Sequence, residues 1–288
     1  GLKAIYAGAL WMGGTDVNGQ LKLAAVRYRQ GNDFWAGPLS VNPGTGNYNP
    51  NQPVGDDAVR PFGGANIDPD QCTAYDEFYT IRKAEVIQFN IWWECTNGVA
   101  VEGCEEVQQP SADILNRIYE WPAHGDVSLE QDFYLAPFYD RDGDGNYDPV
   151  GQGDYPWYDD ILGRDDIVCG VDRRISLFGD ETHWWVFNDK GNIHTETGGD
   201  PIGMEIRAQA FAFATTDEVN RMTFYNYELI NRGTQTLFNT YFSQYLDADI
   251  GNFNDDYSGC DVSRGLGYMY NGDLNDETNG APGYGENP

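Results

Sequence analysis

The sequence predicts a mainly β fold: a β-sandwich-like core with long ordered loops, two short helices and acidic loops. Three observations lead there. Four runs after residue 181 alternate with the period of a strand, helical periodicity is confined to two stretches, and the composition pairs 14% aromatic residues with 35 glycines. Aromatic and β-branched side chains suit a pleated, half-buried surface, and glycine suits the turns between short strands.

Taken in order, KAIYAGALWMGGTDVNGQLKLAAVRYRQ reads as two strands around a turn at Asp16-Val17-Asn18-Gly19, because Asn-Gly tolerates the positive φ of a tight hairpin. Residues 37–71 hold six prolines among many Gly and Asn, the pattern of a long ordered loop. TIRKAEVIQFNIWWEC places Ile81, Val86, Phe89 and Trp93 on one helical face, with Thr80 as the expected cap. PSADILNRIYEW offers Ser111 as N-cap, Asp113 in the first turn, and Ile114, Ile118 and Trp121 along one side; Pro122 stops it.

THWWVFND, EIRAQAFAFATT, RMTFYNYELINR and LFNTYFSQYLDAD then follow as strands. In the second, Ile206 and a run of alanines alternate with Arg207, Gln209, Phe211 and Phe213, as in a strand packed on both faces. Gly233-Thr234-Gln235-Thr236 reads as a hairpin connection between the third and fourth runs. The change of pattern divides the chain into residues 1–165, loop-rich β with both helices and the DxDxDG loop, and 166–288, an antiparallel sandwich, with one continuous domain as the alternative. The opening GLKAIYAGAL reads as an unpaired edge strand already in progress, where another chain could add, and the ends together read as those of a piece of a longer polypeptide.

Lys plus Arg is 17 against 46 Asp plus Glu, a formal charge of −29. Such a surface repels nucleic acid and anionic lipid, which are bound chiefly by positive side chains. No run of eighteen apolar residues offers a membrane span. None of the five cysteines makes a CxxC pair, so a zinc–thiolate site is not expected; Cys95 and Cys104 flank a segment short enough to close as a local disulfide, and an odd thiol remains.

The densest chemistry lies in DRDGDGNYDPVGQGDYP. Asp140, Asp142 and Asp144 recur at i, i+2 and i+4, Gly145 follows at position six, Asn146 can offer its carbonyl, Asp148 stands at position nine, and Asp154 comes later as a completing carboxylate. Calcium takes six to eight oxygens from flexible loops, and an extended turn with glycines brings alternate residues to one point. Position twelve is Gly151 where an EF-hand has a bidentate Glu, so the loop is of a shorter DxDxDG type. Magnesium fits less well, because it demands a rigid octahedron. A weaker second site is expected in LDADIGNFNDDYSGCD, from Asp247, Asp249, Asp255 and Asp256, though such side chains also cap turns.

No nucleophile elbow, phosphate loop or dinucleotide fingerprint occurs. His183 and His194 flank HWWVFNDKGNIH and would approach across a hairpin, with Glu181, Glu196 or Glu205 as a third zinc ligand, but ordinary polar-face histidines are the better reading. His124, in WPAHGD, reads as satisfying a turn after the helix. Trp92, Trp93, Trp157, Trp184 and Trp185 could stack on sugars, although most read more simply as core.

Several stretches, among them IYAGALWMGGTDVNGQLKLAAVRYRQGNDFWAGPL, IYEWPAHGD, LAPFYDRDGDGNYDPVGQGDYP and HWWVFNDKGNIHTETGGDPIGMEI, resemble a region of large secreted or cell-surface proteins of Bacteroidota exported by the type IX secretion system. The resemblance implies a modular extracellular chain with no assigned reaction, and calcium at Asp140, Asp142, Asp144 and Asp148, more weakly at Asp247 and Asp249. The expectation is a calcium-stabilised structural or adhesive module whose partners are other exported surface proteins, copies of itself or polysaccharide. The alternatives are a carbohydrate-binding module or a glycan hydrolase.

Overall fold

The computed structural model describes residues 5–28, 31–40, 67, 69–100, 103–158, 176–272, 275–278 and 281–286. The fold is mainly β, built of antiparallel sheets with three short α-helices among the described residues. The contacts divide the chain into two compact units that interleave in sequence: residues 1–33, 193–200 and 236–288 form the first, and 34–192 with 201–235 the second. The boundary expected between residues 165 and 166 lies outside the described residues, and the contacts fall into a different division from the two halves expected there.

In the first unit, β1 (Ile5–Thr15) lies between β10 (Phe238–Ala248) and β2 (Leu21–Ala24) in the order β10-β1-β2. The Asn-Gly turn forms as expected: Asp16 Oδ1 accepts the amides of Asn18 and Gln20, and Gly19 sits at φ 76°. The opening strand is not unpaired: β10 lines one side along nearly its whole length. On the other side β2 reaches only Met12–Thr15, so among the described residues Ile5–Trp11 keeps one side without a ladder partner. A separate hairpin, β11 (Asp256–Asp261) with β12 (Leu266–Asn271), follows, then the pair β13 (Asn275–Thr278) and β14 (Ala281–Glu286).

The second unit is built on a five-stranded sheet. β7 (Glu181–Asn188), β8 (Met204–Ala212) and β9 (Phe224–Asn231) run side by side. The other edge of β7 is shared by β3 (Trp35–Ala36) and β4 (Tyr79–Arg82). β7 alternates strictly between half-buried and buried residues, the signature of a strand with one face in the core. Gly233–Thr236 does not join a hairpin: β9 pairs with β8, and β10 pairs with β1, more than two hundred residues earlier.

Helix α1 (Pro69–Ala74) is additional to the two expected, in a segment read as loop. Helix α2 (Lys83–Thr96) starts later than Thr80 suggested; Thr80 belongs to β4, and Arg82 is the N-cap, its amide donating to Glu85 Oε2 at 3.2 Å. Ser111 caps α3 (Ala112–Tyr119) as expected, accepting from the Ile114 amide. Ile118 and Trp121 are buried as expected and Ile114 packs half-buried against the same core, while Leu115 is buried as well. Helices α2 and α3 place Val86, Phe89, Trp93, Leu115 and Ile118 in one core with Ile81 of β4 and Trp184 and Val186 of β7. Trp93, Trp157 and Trp184 are buried, so they are not a sugar-stacking surface.

Cys95 and Cys104 form the expected disulfide. Cys72 is buried and the Cys260 thiol is exposed, while Cys169 lies outside the described residues. No helix among the described residues is long and apolar enough to cross a membrane.

Candidate metal centre

The acidic loop is the connection of a small hairpin. Two-residue strands β5 (Phe138–Tyr139) and β6 (Tyr155–Pro156) pair antiparallel and form its neck, with Tyr139 and Tyr155 stacked at 5.0 Å. Below the neck, Asp154 is fully buried. Its two carboxylate oxygens accept the amides of Arg141 and Asp148, each at 2.8 Å, so one side chain ties the start of the loop to its later part. Burial pushes the Asp154 carboxyl above the usual range, against the pull of those two amides and with the added repulsion of Asp140 and Asp142.

The loop is anchored on three further sides. Arg141 lays its guanidinium over the Trp93 ring at 4.9 Å and bonds Glu94 at 2.9 Å and Asn90, both on α2. Tyr147 donates its hydroxyl to the Ile118 carbonyl at 2.7 Å. His124 donates from Nδ1 to the Phe133 carbonyl at 2.8 Å and accepts the Tyr147 amide on Nε2 at 2.9 Å, which fixes a neutral imidazole with its proton on Nδ1. This exceeds the turn-capping role expected for it.

Burial lowers the His124 pKa, with the Phe133 bond and the carboxylates of Asp144 and Asp140 opposing. A lowered histidine pKa means that the native state holds fewer protons than the unfolded chain between the two values. The contribution is complete above the ordinary value near 6.5 and is lost as pH falls through the folded value. The melting temperature of wild type should therefore drop between pH 7.5 and pH 5 by more than that of His124→Gln; equal drops in thermal scans would refute this.

On the outer side, three carboxylates converge. Asp140, Asp142 and Asp144 each place an oxygen within 4.8 Å of the others, and they are the one such group of three or more His, Cys, Asp or Glu among the described residues. Backbone amides set their directions: Asp140 Oδ1 and Oδ2 accept from Gly143 and Gly145, each at 2.7 Å, Asp142 accepts from Asp144 at 3.2 Å, and Asp144 from Asn146 at 2.7 Å. Gly143 and Gly145, at φ 77° and 85°, let the chain turn so that these amides point inward. The Asn146 amide and side chain hold the Asp144 carboxyl below its usual range.

The residues fit a calcium ion. Two oxygens bound to one calcium at 2.3–2.6 Å lie at most about 5 Å apart, so the observed spacing lets a single ion reach all three carboxylates. Each carboxylate has roughly four lone-pair sites, and the loop amides use two on Asp140 and one each on Asp142 and Asp144, leaving acceptor capacity on all three. Asn146 and Asp148 are exposed. Asp148 lies outside the converging group: Oδ1 accepts the Gly151 amide at 2.8 Å and its carbonyl accepts those of Gln152 and Gly153, so it caps the turn after Pro149. Asp154 likewise acts as the loop's clasp.

The second acidic stretch does not gather. Asp247 Oδ2 accepts the Tyr28 hydroxyl at 2.6 Å, and Asp256 Oδ2 accepts the Ile250 amide at 2.8 Å. Asp249 is raised by burial and by the charges of Asp247 and Asp256, yet these residues and Asp255 form no group of three within ligand reach. The histidine pair is also separated in its contacts. His183 meets Thr80 at 2.7 Å and Glu181 at 3.3 Å, while buried His194 meets the Leu23 carbonyl at 2.6 Å. Neither joins a cluster of three potential ligands among the described residues.

The loop's supports were not foreseen. Arg141 is the only cation between Asp140 and Asp148, and a lone base inside an acidic run is the signal that could have marked it. Comparison of the chain with family models, curated proteins and solved structures gave no match.

Proposed function

We propose that this chain is a calcium-stabilised extracellular module, structural or adhesive, of a bacterial cell-surface protein of the type IX-exported kind in Bacteroidota. The observation that carries the calcium reading is the convergence of Asp140, Asp142 and Asp144, held in place by the loop's own amides. The extracellular reading draws support from the Cys95–Cys104 disulfide, since such bonds persist in oxidising compartments, and from the family resemblance. The strongly acidic composition suits a chain that meets divalent cations outside the cell. Its partners are other exported surface proteins or further copies of the chain.

Calorimetric titration with calcium tests the reading. One ion per chain is expected, with binding lost in Asp142→Ala and in Asp144→Ala and retained in Asp249→Ala. Absence of calcium heat at neutral pH, or a signal indifferent to both loop substitutions, would sink it.

A further inference from the structure

The β11–β12 hairpin carries three tyrosines on one face. Tyr257 and Tyr270 are direct partners in the ladder, their rings 5.8 Å apart and 22° from parallel; Tyr268 lies 6.2 Å from Tyr270 at 36°. All three are about half exposed, at 58%, 48% and 50% for Tyr257, Tyr268 and Tyr270. Glycines explain why the rings lie down. A Cβ on Gly259 would fall 2.5 Å from the Tyr268 ring, and one on Gly272 would run into the Tyr257 ring at least as closely. Each of these two rings therefore rests on bare backbone, with its inner face covered and its outer face turned to solvent.

We propose that this platform binds a neutral polysaccharide. A pyranose ring has an apolar C–H face that can cover a phenol ring while its hydroxyls stay wetted at the rim, where the tyrosine hydroxyls and the Asp261–Arg264 pair stand. Rings set side by side across two paired strands suit successive units of a chain. The size argues against a protein partner: six-residue paired strands span about 20 Å by about 10 Å, or about 200 Å², against about 800 Å² per side in a stable protein interface. The charge of −29 argues against acidic glycans. This assignment goes beyond the calcium reading and does not depend on it, since the hairpin contains none of the acidic-loop residues.

Native electrophoresis through gels containing hydroxyethylcellulose, xylan or galactomannan, with alginate as the acidic control, tests it. Wild type should be retarded by at least one neutral polymer and not by alginate. Tyr268→Ala/Tyr270→Ala should abolish the retardation with an unchanged melting curve, an affinity loss of about tenfold or more. Gly259→Ala keeps all three tyrosines but displaces a ring, and should weaken retardation too. No retardation in any neutral gel, retardation that survives the double substitution, or retardation in alginate alone overturns the proposal. So does light scattering that shows self-association lost in the tyrosine variant, which would assign the face to a second copy.

Discussion

Glu205→Ala is expected to be among the most destabilising single substitutions in the chain, costing about 3–5 kcal/mol, the range for breaking a buried ion network by removing one partner. Glu205, Asp132, Arg207 and Arg232 are all nearly excluded from solvent. Glu205 Oε1 meets Arg207 at 2.9 Å and Arg232 at 3.2 Å; Oε2 accepts the Leu39 amide at 3.0 Å and Arg232 Nε at 3.2 Å. Asp132 Oδ2 meets the same two guanidiniums at 3.0 and 2.9 Å. Burial works against the Glu205 charge, but Arg232 and Arg207 outweigh it and hold its pKa below the usual range. Without Glu205, two buried guanidiniums share one carboxylate and the Leu39 amide has no acceptor there. Urea titration of Glu205→Ala against Arg264→Ala, which breaks an exposed pair, is the measurement. A loss under about 1 kcal/mol for Glu205→Ala would show that the network contributes little net stability.

That network also marks the limit of what sequence pattern can tell. Glu205 and Arg207 sit in a strand whose pattern reads as packed on both faces, and both faces of its first half are buried, but the pattern does not say how the charges there are compensated. Only the partners, some seventy residues upstream and some twenty-five downstream, supply that. The same blindness to long-range pairing explains β10: its turn signal at Gly233 is local, but its partner is the first strand of the chain. The start of α2 was misplaced because Ile81 fits both the strand and the helix that follows, and only pairing with Thr182 decides for the strand. In the acidic loop, the i, i+2, i+4 spacing identified the three residues that converge. Asp148 and Asp154 were not separable from them, because an aspartate that caps amides and one that ligates a cation look alike until the amides are located.

The acidic loop leads to the second large effect. Exhaustive chelation should lower the melting temperature by about 5–10 °C, since a cation at a hundredfold excess over its dissociation constant adds about 2.7 kcal/mol to the native state, and each kcal/mol moves a protein of this size by about 2–4 °C. Asp142→Ala and Asp144→Ala should melt near the chelated wild type and respond little to chelator. A loop that merely repels itself would also be relieved by salt, so the control is sodium chloride. At about 1 M the screening length falls to about 3 Å, which damps repulsion between exposed carboxylates without supplying a divalent ligand. If salt restores the chelated protein as fully as calcium does, the aspartates need only screening, and the convergence of Asp140, Asp142 and Asp144 is a product of their turn amides. If calcium restores it and magnesium and salt do not, flexible oxygen coordination is what the loop supplies, because a small ion that keeps its waters gains little from three carboxylates on a pliant turn.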